Sequence, residues 1–573
     1  MDPLINGLFK DFRQSHELVH MDDSDAFELF AATLILRDDL LDQIEMTDLL
    51  LDKDTIGIDV ALLEVNGELV ADRDDVDEVC TGKSSISVAL TLMQVKTSIA
   101  VDSKEILNFG DTVKKVLSNN VPTTYPKLQA ISQALFRVYD GYASKLKERP
   151  RVNLAYVSTA NDAALEDSNV RDRVGTVRTD LRTLPYVGEL NFDLYGASRV
   201  YEASRRKLQA NETEIILEKS VNLPQMPGID QAILGVLSIR ELLKLIRNSD
   251  ESLNESVFYD NVRGFKGTEN VVNKQIIQTL GSESRSLLPV LNNGVTVVAR
   301  SYSPKPGDAI SLSGYQVVNG CQTSHCIFLE AESLGAATEV VFVPIRLVVT
   351  EDEEVATRII RATNSQTAVT DSDLIALTKF QRKLEDFYLQ DQLKVGLTYE
   401  RRGGQFYYRD VTRTRIVTIN EQIRAVAATF LDLPHLAARY PKRLYEEVGD
   451  SIFDDGHRLA PYVASAYAAY RLETAFRTNL EAEYKPIRYH ILTAYKYEVL
   501  GGSKTPLNSK QVDSLSENLV DSLRQSDYVS IFRSAAQRIV RSAGGQLPTG
   551  DRLKRQPFTL SMIKDILEKP AIN

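Results

Sequence analysis

The chain has 573 residues, too many for one hydrophobic core, so two to four domains are expected. A net charge of −12 argues against a protein that coats nucleic acid non-specifically, yet leaves room for a nuclease, which needs acids for metal and only local basic patches. Three cysteines (Cys80, Cys321, Cys326) and six scattered histidines argue against a disulfide framework or a structural zinc. With no apolar run of ~18 residues and no basic-then-apolar leader, neither a membrane span nor a secretion signal is expected, and the expected location is the cytoplasm.

Apolar spacing from Asp25 to Ile44 predicts a helix, with Ser24 or Asp25 as its cap. IGIDVALLEV and SISVALTLMQVK read as strands, joined by a polar, acidic loop from Asn66 to Ser84. The acidic runs MDDSDAFE, LRDDLLDQIEMTDLLLDKD and ADRDDVDE are read mostly as solvated faces. SKEILNFGDTVKKVL and TTYPKLQAISQALFRVYDGYASKL are helices, RVNLAYVST a strand, NDAALEDSNVRDRVGTVRTDLRTL a helix and GELNFDLYGAS a strand. This order predicts an α/β unit closing near residue 205, and the Pro/Gly-richer VNLPQMPGID marks a boundary. AILGVLSIRELLKLI then reads as a strand running into a helix. LPVLNNGVTVVAR carries Asn-Gly in a hairpin position, and a second Asn-Gly in SGYQVVNGCQTSHCIFLEAESL joins a strand to a helix. EVVFVPIRLVVT is a strand, DEEVATRIIRATNSQTAVTDSDLIAL is helical with a pause at Asn364–Gln366, and the pattern from Asp371 onward is largely helical.

Two short strands near the start carry polar residues in awkward places. Asp59 follows a glycine at the head of one, and Gln94 and Lys96 stand two apart on the next, hence on one face. Phosphodiester hydrolysis needs a cation to offset charge and to generate hydroxide. Magnesium is satisfied by one or two carboxylates, a carbonyl and several waters. Asp59 and Glu28 supply carboxylates, Gln94 an amide oxygen beside a strand carbonyl, and Lys96 an ammonium for the attacking water. Phe27-Glu28, Gly57-Ile58-Asp59 and Gln94-Val95-Lys96, in that order, resemble the Mrr-like branch of the PD-(D/E)XK nucleases, where QxK stands for (D/E)xK. The resemblance spans about residues 20–120 and implies a restriction-endonuclease-like mixed sheet flanked by helices. It also implies Asp59, Gln94, Lys96 and Glu28 as catalytic residues, with Asp59, Gln94 and Glu28 on magnesium or manganese.

Further on stand Phe258-Tyr259-Asp260-Asn261-Val262-Arg263-Gly264, Asn273 with Ile276, and Leu291-Asn292-Asn293-Gly294-Val295-Thr296. Val317-Val318-Asn319-Gly320-Cys321-Gln322-Thr323 and Ala362-Thr363-Asn364-Ser365-Gln366 complete the series. Together they resemble the AIPR family, the abortive infection phage resistance proteins of bacteria, over about residues 230–430. The VNGCQTS turn places Gln322 and Thr323 at a helix start, where free amides suit an anion. The ligand-binding candidates are Arg263, Asn292, Asn293, Asn319, Gln322, Thr323, Asn364 and Gln366, the alternative being that these turns only shape the sheet. YERRGGQFYYRDVTRTR interleaves arginine with tyrosine, which suits phosphate contact and base stacking, or else a packed hairpin. Arg401, Arg402 and Arg409 are its nucleic-acid-binding candidates.

The expectation is therefore an α/β (α+β) protein in three parts: a nuclease-like domain over 1–205, an AIPR core α/β domain over 222–370 and a helical region over 371–573. The expected activity is metal-dependent cleavage of DNA, with RNA the alternative substrate, in antiphage defence. A homodimer and a partner protein of a defence system are expected associations. The competing reading is a non-catalytic nucleic-acid- or nucleotide-binding regulator.

Overall fold

The computed structural model describes residues 1–568 except 54, 209–210, 249–250, 252, 259–269, 308, 365–377, 402–404, 407–410, 440–443, 445–446, 503–504 and 549. The fold is mixed α/β with a helical C-terminal region. By contacts the chain divides into two units, residues 1–204 with 371–573, and residues 205–370. The two outer segments expected as separate domains thus share one unit.

The first unit begins with α1 (Pro3–Ser15) and α2 (Asp23–Ile35), capped by Asp2 and Asp22, whose carboxylates accept from early helix N–H groups. A five-stranded sheet follows in the order β2-β1-β3-β4-β5. Its strands are β1 (Val60–Val65), β2 (Glu68–Val70), β3 (Val88–Lys96), β4 (Arg151–Ser158) and β5 (Leu190–Tyr195). β1 and β3 are antiparallel, while β3, β4 and β5 run parallel. The stretch expected as a loop between β1 and β3 instead folds into β2 and helix α3 (Arg73–Cys80), because Asp72 caps it and Val76, Val79 and Cys80 bury one side. Helices α4 (Ser103–Leu117), α5 (Pro126–Tyr142) and α6 (Ser168–Arg182) complete this part. Period-2 alternation gives the sheet two different cores. Val60, Leu62, Met93 and Val95 pack with Phe27 and Phe30 of α2. Ala61, Leu63, Leu90 and Leu92 pack with Phe109 of α4 and Leu135 of α5.

The second unit holds two sheets, β10-β11-β6 and β12-β9-β13-β8-β7. The strands are β6 (Glu212–Ile216), β7 (Lys219–Asn222), β8 (Gln231–Ser238), β9 (Val295–Ala299), β10 (Ser301–Pro304), β11 (Ala309–Ser313), β12 (Gln316–Asn319) and β13 (Phe342–Val349). Helices α7 (Ile239–Ile246), α8 (Val271–Leu280), α9 (Cys321–Leu334) and α10 (Glu353–Asn364) belong to the same unit. The hairpin expected at Asn293-Gly294 does not form. Pro289 starts a short helix, Leu288–Leu291, so the turn joins a helix to β9.

The chain returns to the first unit with α11 (Lys379–Gln390), a parallel pair β14 (Thr398–Glu400) and β15 (Ile416–Thr418), and then α12 (Ile419–Thr429) behind a Thr418/Glu421 capping box. Helices α13 (Ala460–Thr478), α14 (Arg488–Leu500), α15 (Tyr528–Ser542) and α16 (Gln556–Glu568) pack around Ile423, Tyr462, Leu492, Tyr495, Phe532 and Met562.

The acidic runs are not wholly solvated faces; they meet basic residues more than 350 positions away. Arg488 of α14 clasps Asp48 with both terminal nitrogens, Nη2 to Oδ1 at 2.9 Å, while its Nε lies 2.9 Å from Glu473 of α13. Arg439 pairs with Glu78, and the Lys554 ammonium bonds Asp72 at 3.0 Å and Asp75 at 2.6 Å. A sign pattern that looks like solubility in one segment is, in the fold, an internal interface.

Candidate functional site

Asp59 and β3 are joined by the sheet itself. Val60 pairs with Met93, and one residue earlier the Asp59 N–H donates to the Met93 carbonyl at 2.8 Å. The Asp59 carboxylate accepts from the Val95 N–H at 2.7 Å. Alternation along β3 puts Gln94 and Lys96 on the face opposite Met93 and Val95, and these two bonds tie Asp59, just before β1, to the end of β3. Gly57 permits the approach: its φ is +83°, and a Cβ there would stand 2.9 Å from the Asn108 carbonyl oxygen of α4.

Glu28 on α2 accepts from its own helix's Ser24 hydroxyl at 3.4 Å. Burial pushes its carboxyl up to about 8, and the charges of Asp59 and Asp25 add to that, while Ser24 and Lys96 oppose it. Asp59 is likewise raised by burial, against the Val95 N–H and the Lys96 charge, with Glu105 adding to the rise. Glu28, Asp59 and Lys96 thus feel one another's charges, and Gln94 stands two residues before Lys96 on β3. Gln94 is 3% exposed, and its amide oxygen has no hydrogen-bond partner among the described residues.

A cation would satisfy this set. Two half-buried carboxylates held back from ionisation, and a buried amide oxygen with no donor, are the surroundings that a hard divalent ion relieves. Among the described residues, no three of His, Cys, Asp and Glu stand close enough to hold a metal by themselves. Magnesium or manganese would thus rely on Asp59, Glu28 and the Gln94 oxygen. Sequence reasoning missed Glu105. Its carboxylate lies 3.6 Å from the Lys96 ammonium and accepts from the Tyr156 hydroxyl at 3.3 Å. The available signal was an acid in the first turn of the helix that follows the QVK strand.

The two Asn-Gly turns of the second unit lie side by side because β9 and β12 are antiparallel, with Asn319 at the end of one opposite Thr296 at the start of the other. Gly294 (φ +75°) and Gly320 (φ +97°) are both in the left-handed region. A Cβ on Gly320 would lie 2.8 Å from the Gly294 carbonyl oxygen. Asn292, Asn293, Asn319, Gln322 and Thr323 line one open pocket. Several are also braces. The Asn292 amide oxygen accepts from the Gly294 N–H at 2.8 Å and the Thr323 hydroxyl at 3.1 Å. Asn319 donates to the Thr363 carbonyl, and Gln322 accepts from Asn273 at 2.8 Å. Arg263, Gln366 and the Asn364 side chain lie outside the described residues.

The basic stretch after β14 is turned inward where it is described. Arg401 is 6% exposed and its Nε donates to Glu385 at 2.8 Å, so this charge is neutralised inside the fold and does not face a phosphate track. Arg402 and Arg409 lie outside the described residues.

Residues 258–540 match the family model described as AIPR protein, so this stretch of the chain is similar to that family. No curated protein and no solved structure matches the chain. No helix among the described residues is long and apolar enough to cross a membrane.

Proposed function

We propose that this chain, with its AIPR match over residues 258–540, defends bacteria against phage by hydrolysing phosphodiester bonds of nucleic acid, DNA in the first instance, at the Asp59 site. The observation that supports the reading is that Glu28, Asp59 and Lys96 feel one another's charges while the Gln94 amide oxygen, two residues before Lys96 on β3, is buried without a partner among the described residues. Magnesium, when bound, would lower the pKa of water and offset charge on the scissile phosphate. Asp59 is the better holding group because the Val95 N–H fixes its carboxylate. Glu28 has to lose its proton to bind a cation, and the cation's own charge favours that loss. Lys96 is half-buried, and Glu105 steadies its ammonium at the mouth of the site, where it can orient the attacking water and stabilise the developing negative charge.

The test is cleavage of double- and single-stranded DNA and of RNA by the full chain, with magnesium and with chelator, for the wild type, Asp59→Ala and Lys96→Ala. Cleavage should need magnesium and fall at least about 10²-fold in each variant, the usual cost of one transition-state contact. Protection from phage in cells should fall in parallel. Protection that survives in Asp59→Ala would assign the chain to a non-catalytic role.

A further inference from the structure

The pocket at the paired Asn-Gly turns has about 780 Å³ of space, ample for a small organic ligand. One wall is helix α8, another the short Leu288–Leu291 helix, and the floor is the two turns. Its chemistry is unusual for a protein with so many charges. Among the described lining residues none is Asp, Glu, Lys, Arg or His. The polar groups are dominated by amides, and the apolar ones are Val272, Ile276, Leu288 and Leu291. Val272 and Leu291 are more than half exposed, so the apolar surface continues onto the rim.

The amides do different jobs. Asn292, Asn319 and Gln322 brace the turns, as described above. Gln275 and Gln278 on α8, and Asn293 in the first turn, are exposed to the pocket, and their side chains make no hydrogen bond among the described residues. These three are the groups left to meet a ligand. Each carries one acceptor and a two-proton donor in a plane.

We propose that this pocket binds a nucleobase, reading its edge with Gln275, Gln278 and Asn293 and holding its faces against Val272 and Leu291, the exposed apolar residues of the lining. A base is planar, apolar on its faces and edged with neighbouring donors and acceptors, which asparagine and glutamine match in pairs. A ligand recognised mainly through phosphate or carboxylate would call for arginine or lysine in the lining. The base belongs either to a free nucleoside or nucleotide or to a single strand, and the site is independent of the Asp59 site.

The experiment is calorimetric titration of the full-length Asp59→Ala protein, in which the proposed cleavage site is disabled. The probes are adenosine, guanosine, cytidine, uridine, a homopolymeric single-stranded DNA octamer and inorganic phosphate. At least one nucleoside or octamer should bind and weaken tenfold or more in Gln275→Ala/Gln278→Ala, and likewise in Asn293→Ala. Both glutamines are exposed on a helix, where alanine is favourable, so the double variant should keep its fold by circular dichroism. Binding of a nucleoside identifies a small-molecule ligand, and binding of the octamer alone identifies a strand. No binding at millimolar concentration, equal affinity in the variants, or full displacement by inorganic phosphate would overturn the assignment.

Discussion

Removing the Arg488 guanidinium should loosen the whole first unit, although Arg488 lies far along the chain from the residues it holds. Its side chain is 14% exposed, bonds Asp48 bidentately and forms an ion pair with Glu473. Burial by itself would raise the Asp48 carboxyl, but the Arg488 charge and hydrogen bonds, with Lys485 and Lys127, hold it below the usual range. Glu45, buried nearby, is pushed up to about 8 by burial and by Glu473, with Arg488 opposing. Arg488→Met therefore leaves two or three acids buried without their cation. Breaking a buried pair on one side costs about 3–5 kcal/mol, because an uncompensated charge remains. Urea unfolding followed by circular dichroism at pH 7.5 should show that loss. The stranded Asp48 then has a carboxyl raised by burial, so the variant regains stability as pH falls through that raised value toward the unfolded one. Asp48→Leu on top of Arg488→Met should recover part of the loss, since an apolar pair in place of a buried ion pair is often near neutral. A loss below about 1 kcal/mol in Arg488→Met, or no recovery in the double variant, would refute the idea that this clasp joins the two segments.

Magnesium at 100 times its dissociation constant should raise the stability of the wild type by about 2.7 kcal/mol and leave Asp59→Ala unmoved, as read by thermal melting. Metal-free protein should lose stability as pH rises from about 4.5 to about 8, because the Glu28 carboxyl is raised in the fold, as those of Glu45 and Glu400 are, and Glu28→Gln should reduce that slope in the urea midpoint. Gly294→Ala should destabilise the second unit by more than about 1 kcal/mol, since its Cβ would press to 2.1 Å from the Pro344 carbonyl oxygen at φ +75°; a normal urea midpoint would contradict this.

Local regularities were open to reading from the residues alone. Strand alternation placed Gln94 and Lys96 out of phase with Met93 and Val95, which is why the metal-site candidates could be named without a fold. Helix α4 begins and ends where its sequence pattern does, because its apolar stripe and its Asp102 cap lie within one segment. The Asn-Gly turns were visible as turns, yet their meeting was not, since it depends on β9 and β12 pairing antiparallel. What only the tertiary structure decided is which polar groups are spent. Arg401 has the composition of a nucleic-acid contact and is neutralised by Glu385, while Asp48, Asp72, Asp75 and Glu78 have the composition of a solvated face and meet Arg488, Lys554 and Arg439. A charge's partner is set by distance in space, and periodicity within a segment carries no record of residues hundreds of positions away.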